Sequence, residues 1–118
     1  MRAKDAVGQY GERVAVRHLL DSGLTIVATN WRCTDGEIDI VAVERGVVVI
    51  CEVKTRTSER FGVPAEAVTR TKADRLRRLA MRWLREHPAG GAELRFDVVS
   101  VLVPRAGAPV IEHLRGAF

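Results

Sequence analysis

The 118 residues, 47% of them hydrophobic and 29% charged, suffice for one globular domain with its own core and are too few for two. Two cysteines, Cys33 and Cys51, make neither a disulfide framework nor a zinc quartet, and His18, His87 and His113 lie far apart in the chain; both thiols are expected to be reduced, in the cytoplasm. The net charge of +4 is segregated: Lys54 to Arg85 holds ten basic and three acidic residues, a block of +7 that suits a polyanionic partner.

Asp5 to Asp21 has the spacing of a helix, with Val7, Gly11, Val14, His18 and Leu19 on one face and Gly23 as its stop. Thr25 to Trp31 is predicted as a strand running into a polar loop. Gly36 to Val43 alternates, placing Ile38, Ile40 and Ala42 on one side and Glu37, Asp39, Val41 and Val43 on the other. A tight turn at Glu44, Arg45 and Gly46 leads into Val47 to Val53, apolar enough for a central strand covered on both faces.

Thr57 to Pro64 is expected to be a loop, and Glu66 to Glu86 a helix with an apolar stripe through Leu76, Leu79, Ala80, Trp83 and Leu84. Arg75, Arg78, Arg82 and Arg85 form a separate, exposed stripe on it, suited to a phosphate backbone or, more plainly, to solvent. Pro88, Gly90 and Gly91 end the helix; Leu94 to Val103 is a fourth strand, Pro104 to Pro109 a turn, and Val110 to Leu114 a short edge strand. The expected architecture is α/β, one domain over residues 1 to 118 with a central mixed sheet flanked by helices. No segment has the roughly 18 apolar residues of a membrane span, and Met1 to Tyr10 is too polar for a signal peptide, so no membrane association is expected.

Acidic residues inside apolar strands carry the chemical information. Asp39 lies among Ile38, Ile40 and Val41, and Glu52 follows Val49, Ile50 and Cys51; an ionised carboxylate there is costly to bury unpaired. Strand alternation puts Glu52 and Lys54 on one face. With Arg45 facing Gly46, paired residue numbers across the hairpin sum to 91, which sets Asp39 opposite Glu52. Two carboxylates and a lysine suit a hard cation that polarises a phosphodiester and activates water. They equally suit a buried Glu52 to Lys54 ion pair with Asp39 at its edge. A chain with sixteen arginines and three lysines would more readily use arginine for a plain ion pair, which favours the first reading.

Gly36-Glu37-Ile38-Asp39-Ile40-Val41 followed by Glu52-Val53-Lys54-Thr55-Arg56 resembles the PD-(D/E)xK nuclease superfamily, with Gly-Glu-Ile-Asp where the superfamily's name has Pro-Asp. Together with Gly11-Glu12, Asn30-Trp31-Arg32, Lys72 and Phe96-Asp97-Val98-Val99, the pattern is similar to the YraN-type family of predicted endonucleases, across nearly the whole chain. A helix-borne glutamate ahead of the same core also resembles archaeal Holliday junction resolvases. The resemblance implies a restriction-endonuclease-like fold and metal-dependent DNA hydrolysis, with branched or junction DNA as a substrate and a homodimer as the working unit. By it, Glu12, Asp39, Glu52 and Lys54 are catalytic, and Asp39, Glu52 and the Val53 carbonyl bind Mg²⁺ or Mn²⁺. Since the fold also includes inactive binders, a nucleic-acid-binding module with little or no cleavage is the alternative.

Arg56, continuing the Glu52 and Lys54 face, and Lys72, near the start of the basic helix, are expected phosphate contacts along with Arg75, Arg78, Arg82 and Arg85. Glu37 is expected in a solvated or supporting role. Asp97 is expected to make a structural hydrogen bond or pair with an arginine, and Trp31, Trp83 and His18 to be structural.

Overall fold

A computed structural model describes residues 5–57, 69–88 and 93–118. The elements are helix α1 (Ala6–Asp21), strands β1 (Thr25–Cys33), β2 (Gly36–Glu44) and β3 (Val47–Arg56), helix α2 (Arg70–Glu86), and strands β4 (Glu93–Leu102) and β5 (Val110–Leu114). The strands form one sheet in the order β1-β2-β3-β4-β5. All neighbours are antiparallel except β3 and β4, whose parallel pairing requires the crossover that contains α2. This is an α/β architecture with a mixed sheet and two flanking helices, compatible with a restriction-endonuclease-like fold. Among the described residues, no helix is long and apolar enough to cross a membrane.

Local sequence accounts for the boundaries. Asp5 caps α1 by accepting the Gly8 N–H at 2.7 Å, and the left-handed Gly23 (φ 97°) ends it. Arg45 (φ 50°) and Gly46 (φ 81°) are both left-handed, as a two-residue hairpin turn requires. The resulting register pairs Glu44 with Val47 and Ile40 with Cys51, the expected sum of 91. Helix α2 starts at Arg70 rather than Glu66, because Thr69 is extended and caps it by accepting the Lys72 N–H at 3.1 Å. The expected loop residues Gly62 and Pro64, the residues at 66 to 68, and Gly90 and Gly91 lie outside the described residues.

Two cores flank the sheet. Ala15, Leu19, Ile40, Ala42, Val49 and Cys51 belong to the α1 side, and Ile38, Val41, Ile50, Leu76, Leu79 and Trp83 to the α2 side. Ile38 is a departure from the expected alternation, since it packs in the α2 layer with Val41 and not with Ile40 and Ala42. The change of face falls at Asp39, where β2 leaves its pairing with β3.

Candidate active site

The site forms where β2 and β3 part. Their backbone pairing ends at Ile40 and Cys51; beyond it, Asp39 Oδ2 accepts the Val53 backbone N–H at 2.9 Å. A carboxylate thus replaces a main-chain acceptor at the strand edge. Because the N–H and C=O of one strand residue face the same neighbour, the Val53 carbonyl is turned toward the Asp39 side as well.

Glu52 projects from the α2 face of β3 and lies beside Asp39. Burial, then the adjacent Asp39 charge, push its carboxyl up to about 7, while Lys72 pulls in the opposite direction. Lys72, from the first turn of α2, is its ion-pair partner. Lys54 lines the same cavity and has no ion pair among the described residues, so the alternative Glu52 to Lys54 ion pair is not the arrangement found.

Glu12 enters from the opposite layer. Gly11 lies so close to β3 that a Cβ there would be 2.0 Å from Thr55 Oγ1, so the absence of a side chain lets α1 settle against the strand and carries Glu12 to its end. The Asn30 side-chain amide donates to Glu12 Oε1, and Asn30 itself is left-handed (φ 52°), a conformation asparagine tolerates better than most residues. Glu12, Asp39 and Glu52 are only 7%, 6% and 6% exposed. Together with Lys54, Lys72, Glu37 and Arg75 they line one cavity of about 1120 Å³.

Among the described residues, three buried carboxylates face two ammonium groups in this cavity. Hard oxygen donors, a strand carbonyl turned to the same side, and a glutamate pushed toward its neutral form by burial and by the neighbouring aspartate suit a divalent cation. Asp39, Glu52 and Val53 therefore fit a Mg²⁺-type ion.

The expected phosphate contacts separate into different environments. Arg75 lines the cavity, and Arg78 and Arg85 are exposed. Arg82 is fastened to the β1–β2 turn, donating to Thr34 and Asp35 at 3.2 and 3.3 Å, and to Glu86 at 3.2 Å. Arg56 is not among the cavity-lining residues and donates to Ser100 Oγ on β4 at 3.2 Å. Glu37 accepts from Arg32 at 2.9 Å, a supporting role at the cavity rim. Trp31 and Trp83 pack in the α2-side core.

A second polar cluster lies away from this cavity. Asp97 is fully buried; its Oδ1 accepts from Arg95 Nε and the Gly116 N–H, and its Oδ2 is bonded to Arg95 and His113 Nε2. Cys51 joins Asp97 and His113 in a group whose ligand atoms lie within 4.8 Å of one another. Both Asp97 oxygens are doubly engaged, which ties β4 to β5, and burial pushes the Cys51 thiol strongly up. Asp97 thus takes the structural role its lone place in an apolar strand predicts. The Asn30-Trp31-Arg32 motif carries no sequence signal for the bond from Asn30 to Glu12, although an asparagine bordering a strand end is a candidate for the left-handed backbone it adopts.

The model of the uncharacterised protein family UPF0102 matches residues 11–101, a span that includes Glu12, Asn30, Asp39, Glu52, Lys54 and Lys72. A UPF0102 protein of Beutenbergia cavernae is 62% identical over 116 residues, covering 98% of each chain. One from Frankia alni is 56% identical over 118 residues, covering all of this chain and 98% of that protein, and one from Streptomyces coelicolor is 53% identical over 120 residues, covering 98% and 91%.

Proposed function

We propose that this chain, which belongs to the uncharacterised protein family UPF0102, is a metal-dependent endonuclease that hydrolyses DNA phosphodiester bonds. The observation that carries the reading is the convergence of Glu12, Asp39 and Glu52 with Lys54 on one cavity, from two strands and a helix. The resemblance of its motifs to the YraN-type and PD-(D/E)xK nucleases supports it, as does the basic block from Lys54 to Arg85.

In this mechanism Asp39, Glu52 and the Val53 carbonyl would hold Mg²⁺ or Mn²⁺, whose chemistry when bound would be to polarise the scissile phosphate and acidify water. Lys54 orients the attacking water and offsets the negative charge that grows on the phosphoryl oxygens. Glu12, held by Asn30, completes the acidic wall. Lys72 balances Glu52, and Arg75, Arg78 and Arg85 meet the phosphate backbone. The free thiols of Cys33 and Cys51 suit work in the cytoplasm. On a four-way junction, which has two strands to cut, the working unit is a homodimer.

The test is cleavage of duplex, single-stranded, flap and four-way-junction DNAs with Mg²⁺ or Mn²⁺, against EDTA and Asp39→Asn. Cleavage that needs both the metal and Asp39 is expected. Salt-sensitive binding with no cleavage of any DNA would replace this reading with a nucleic-acid-binding module of the same fold.

A further inference from the structure

Glu12 lines two cavities. On its far side from the carboxylate site lies a second one of about 530 Å³, bounded by Gln9, Arg13 and Val16 of α1 and by Thr29, Asn30 and Arg32 of β1. The α1 residues follow the four- and three-residue spacing of one helix stripe. On β1, a bulge between Ile26 and Ala28 and the left-handed Asn30 interrupt the regular strand beside the cavity.

Its lining is specific in kind. Two arginines, Gln9, Thr29 and Asn30 border the space, and among the described residues its carboxylate is Glu12, which accepts from the Asn30 amide. Arg13 is exposed and has no ion pair among the described residues, and Arg32 meets Glu37 through Nε. Guanidinium groups recognise phosphate oxygens, and a polar rim beside them suits the edge of an unpaired base. The volume falls within the ~300 to 1,000 Å³ of small-ligand clefts, room for one nucleotide.

We propose that this second cavity is a subsite for one unpaired nucleotide adjoining the scissile phosphate. The inference rests on the endonuclease reading above and names its substrate class. The strand passes from the carboxylate cavity over the Glu12–Asn30 pair, and its next phosphate lies between Arg13 and Arg32. Continuous duplex cannot fill the subsite, so DNA with a locally unpaired strand at the cut is the preferred substrate.

The test measures binding of a fluorescein-labelled duplex, and of the same duplex carrying a short single-stranded flap, by anisotropy in EDTA, followed by cleavage of both with Mn²⁺. The wild-type protein is expected to bind the flap DNA at least tenfold more tightly. Arg13→Glu combined with Arg32→Gln should remove about tenfold of that affinity, leave duplex binding within twofold, and reduce the salt slope for the flap by about 0.7 per lost contact. Arg13→Glu alone, at a position with no ion pair among the described residues, tests the subsite if the double variant does not fold. Equal wild-type affinity for flap and duplex, or an equal effect of the variants on both, overturns the subsite; cleavage of both DNAs would then still uphold the endonuclease. Selective, Arg13-dependent flap binding without cleavage of any DNA overturns the endonuclease reading and leaves the second cavity as a binding site for an unpaired nucleotide.

Discussion

Lys72 reaches from the first turn of α2 to ion-pair with Glu52 on β3, so the ammonium that balances this buried carboxylate comes from a different layer than the strand that carries it. Lys54, two residues beyond Glu52, is thereby released from neutralising its neighbour. The two lysines should respond to alanine in opposite ways. Lys54→Ala is expected to leave the melting temperature nearly unchanged and to lower cleavage by orders of magnitude, because a charge aimed at the transition state is worth roughly 2.7 to 4 kcal/mol. Lys72→Ala leaves Glu52 without its counter-charge. Since the Lys72 side chain is 37% exposed, the cost is about 1 to 2 kcal/mol, below that of breaking a fully buried pair. Thermal denaturation beside cleavage rates separates them; a large stability loss from Lys54→Ala alone would return that lysine to a structural role.

Asn30 couples a backbone conformation to the Glu12 carboxylate, and the two contributions can be separated. Glycine at position 30 accepts the left-handed φ of 52° but removes the amide, whereas alanine removes the amide and adds roughly 1 to 2 kcal/mol of strain. Asn30→Gly should therefore stay close to wild type in chemical denaturation while Asn30→Ala falls. Both should lose about tenfold in cleavage if Asn30 holds Glu12 in place. Full activity in Asn30→Gly would show that Glu12 needs no such support.

What could be read from the chain follows the range of the interactions involved. The hairpin of β2 and β3 depends on neighbouring residues: Arg45 and Gly46 set the turn, the turn sets the register, and alternation then brings Asp39 near Glu52. Contacts made across layers escape that logic. Lys72 and Asn30 lie twenty and eighteen residues from the carboxylates they meet, and helix packing, not alternation, decides those pairs. The same holds for Arg82, drawn off the basic stripe to the β1–β2 turn. Ile38 changes layers because β2 leaves its partner at Asp39, and that break in the regular pattern is the opening of the site.

With Arg82 engaged by Thr34, Asp35 and Glu86, the exposed stripe of α2 offers Arg75, Arg78 and Arg85 to a phosphate backbone. The logarithm of DNA affinity should fall linearly with that of salt, each phosphate contact adding a slope near −0.9 on duplex. Reversing Arg78 and Arg85 together should flatten the slope by nearly two contacts; reversing Arg82 should instead lower stability. An unchanged slope in the first variant would assign the stripe to solvent.

The Asp97 cluster predicts the acid limb of stability. Burial opposes ionisation of Asp97, yet hydrogen bonds from His113, Arg95 and the Gly116 N–H hold its carboxyl down at about 2, and those from Arg115 and Arg95 hold Glu44 at about 2. Folded-state values below the unfolded ones mean that the native protein binds fewer protons, so this stability is present above about pH 4 and is lost as the pH falls toward 2. Melting temperatures between pH 6 and 2.5 should trace that fall. Arg95→Met, which removes a donor from both acids, should cost about 3 kcal/mol at pH 6. A variant as stable as wild type would show that the cluster holds nothing together.

Glu52 distinguishes a site kept for chemistry from one kept for stability. In the metal-free protein its carboxyl is held up by burial and by the charge of Asp39, so the ionised pair is in mutual repulsion that Lys72 relieves only in part. Glu52→Gln keeps the shape, removes that repulsion, and leaves Lys72 free to extend into solvent. The metal-free variant should therefore melt at or above the wild-type temperature, as expected where function holds a strained arrangement. Divalent cation should reverse the order. Mn²⁺ at a hundred times its dissociation constant would stabilise the wild type by about 2.7 kcal/mol and should leave Glu52→Gln almost unmoved. If Glu52→Gln instead destabilises the metal-free protein and Mn²⁺ shifts neither melting curve, the Glu52–Lys72 pair is structural and the cavity binds no such ion.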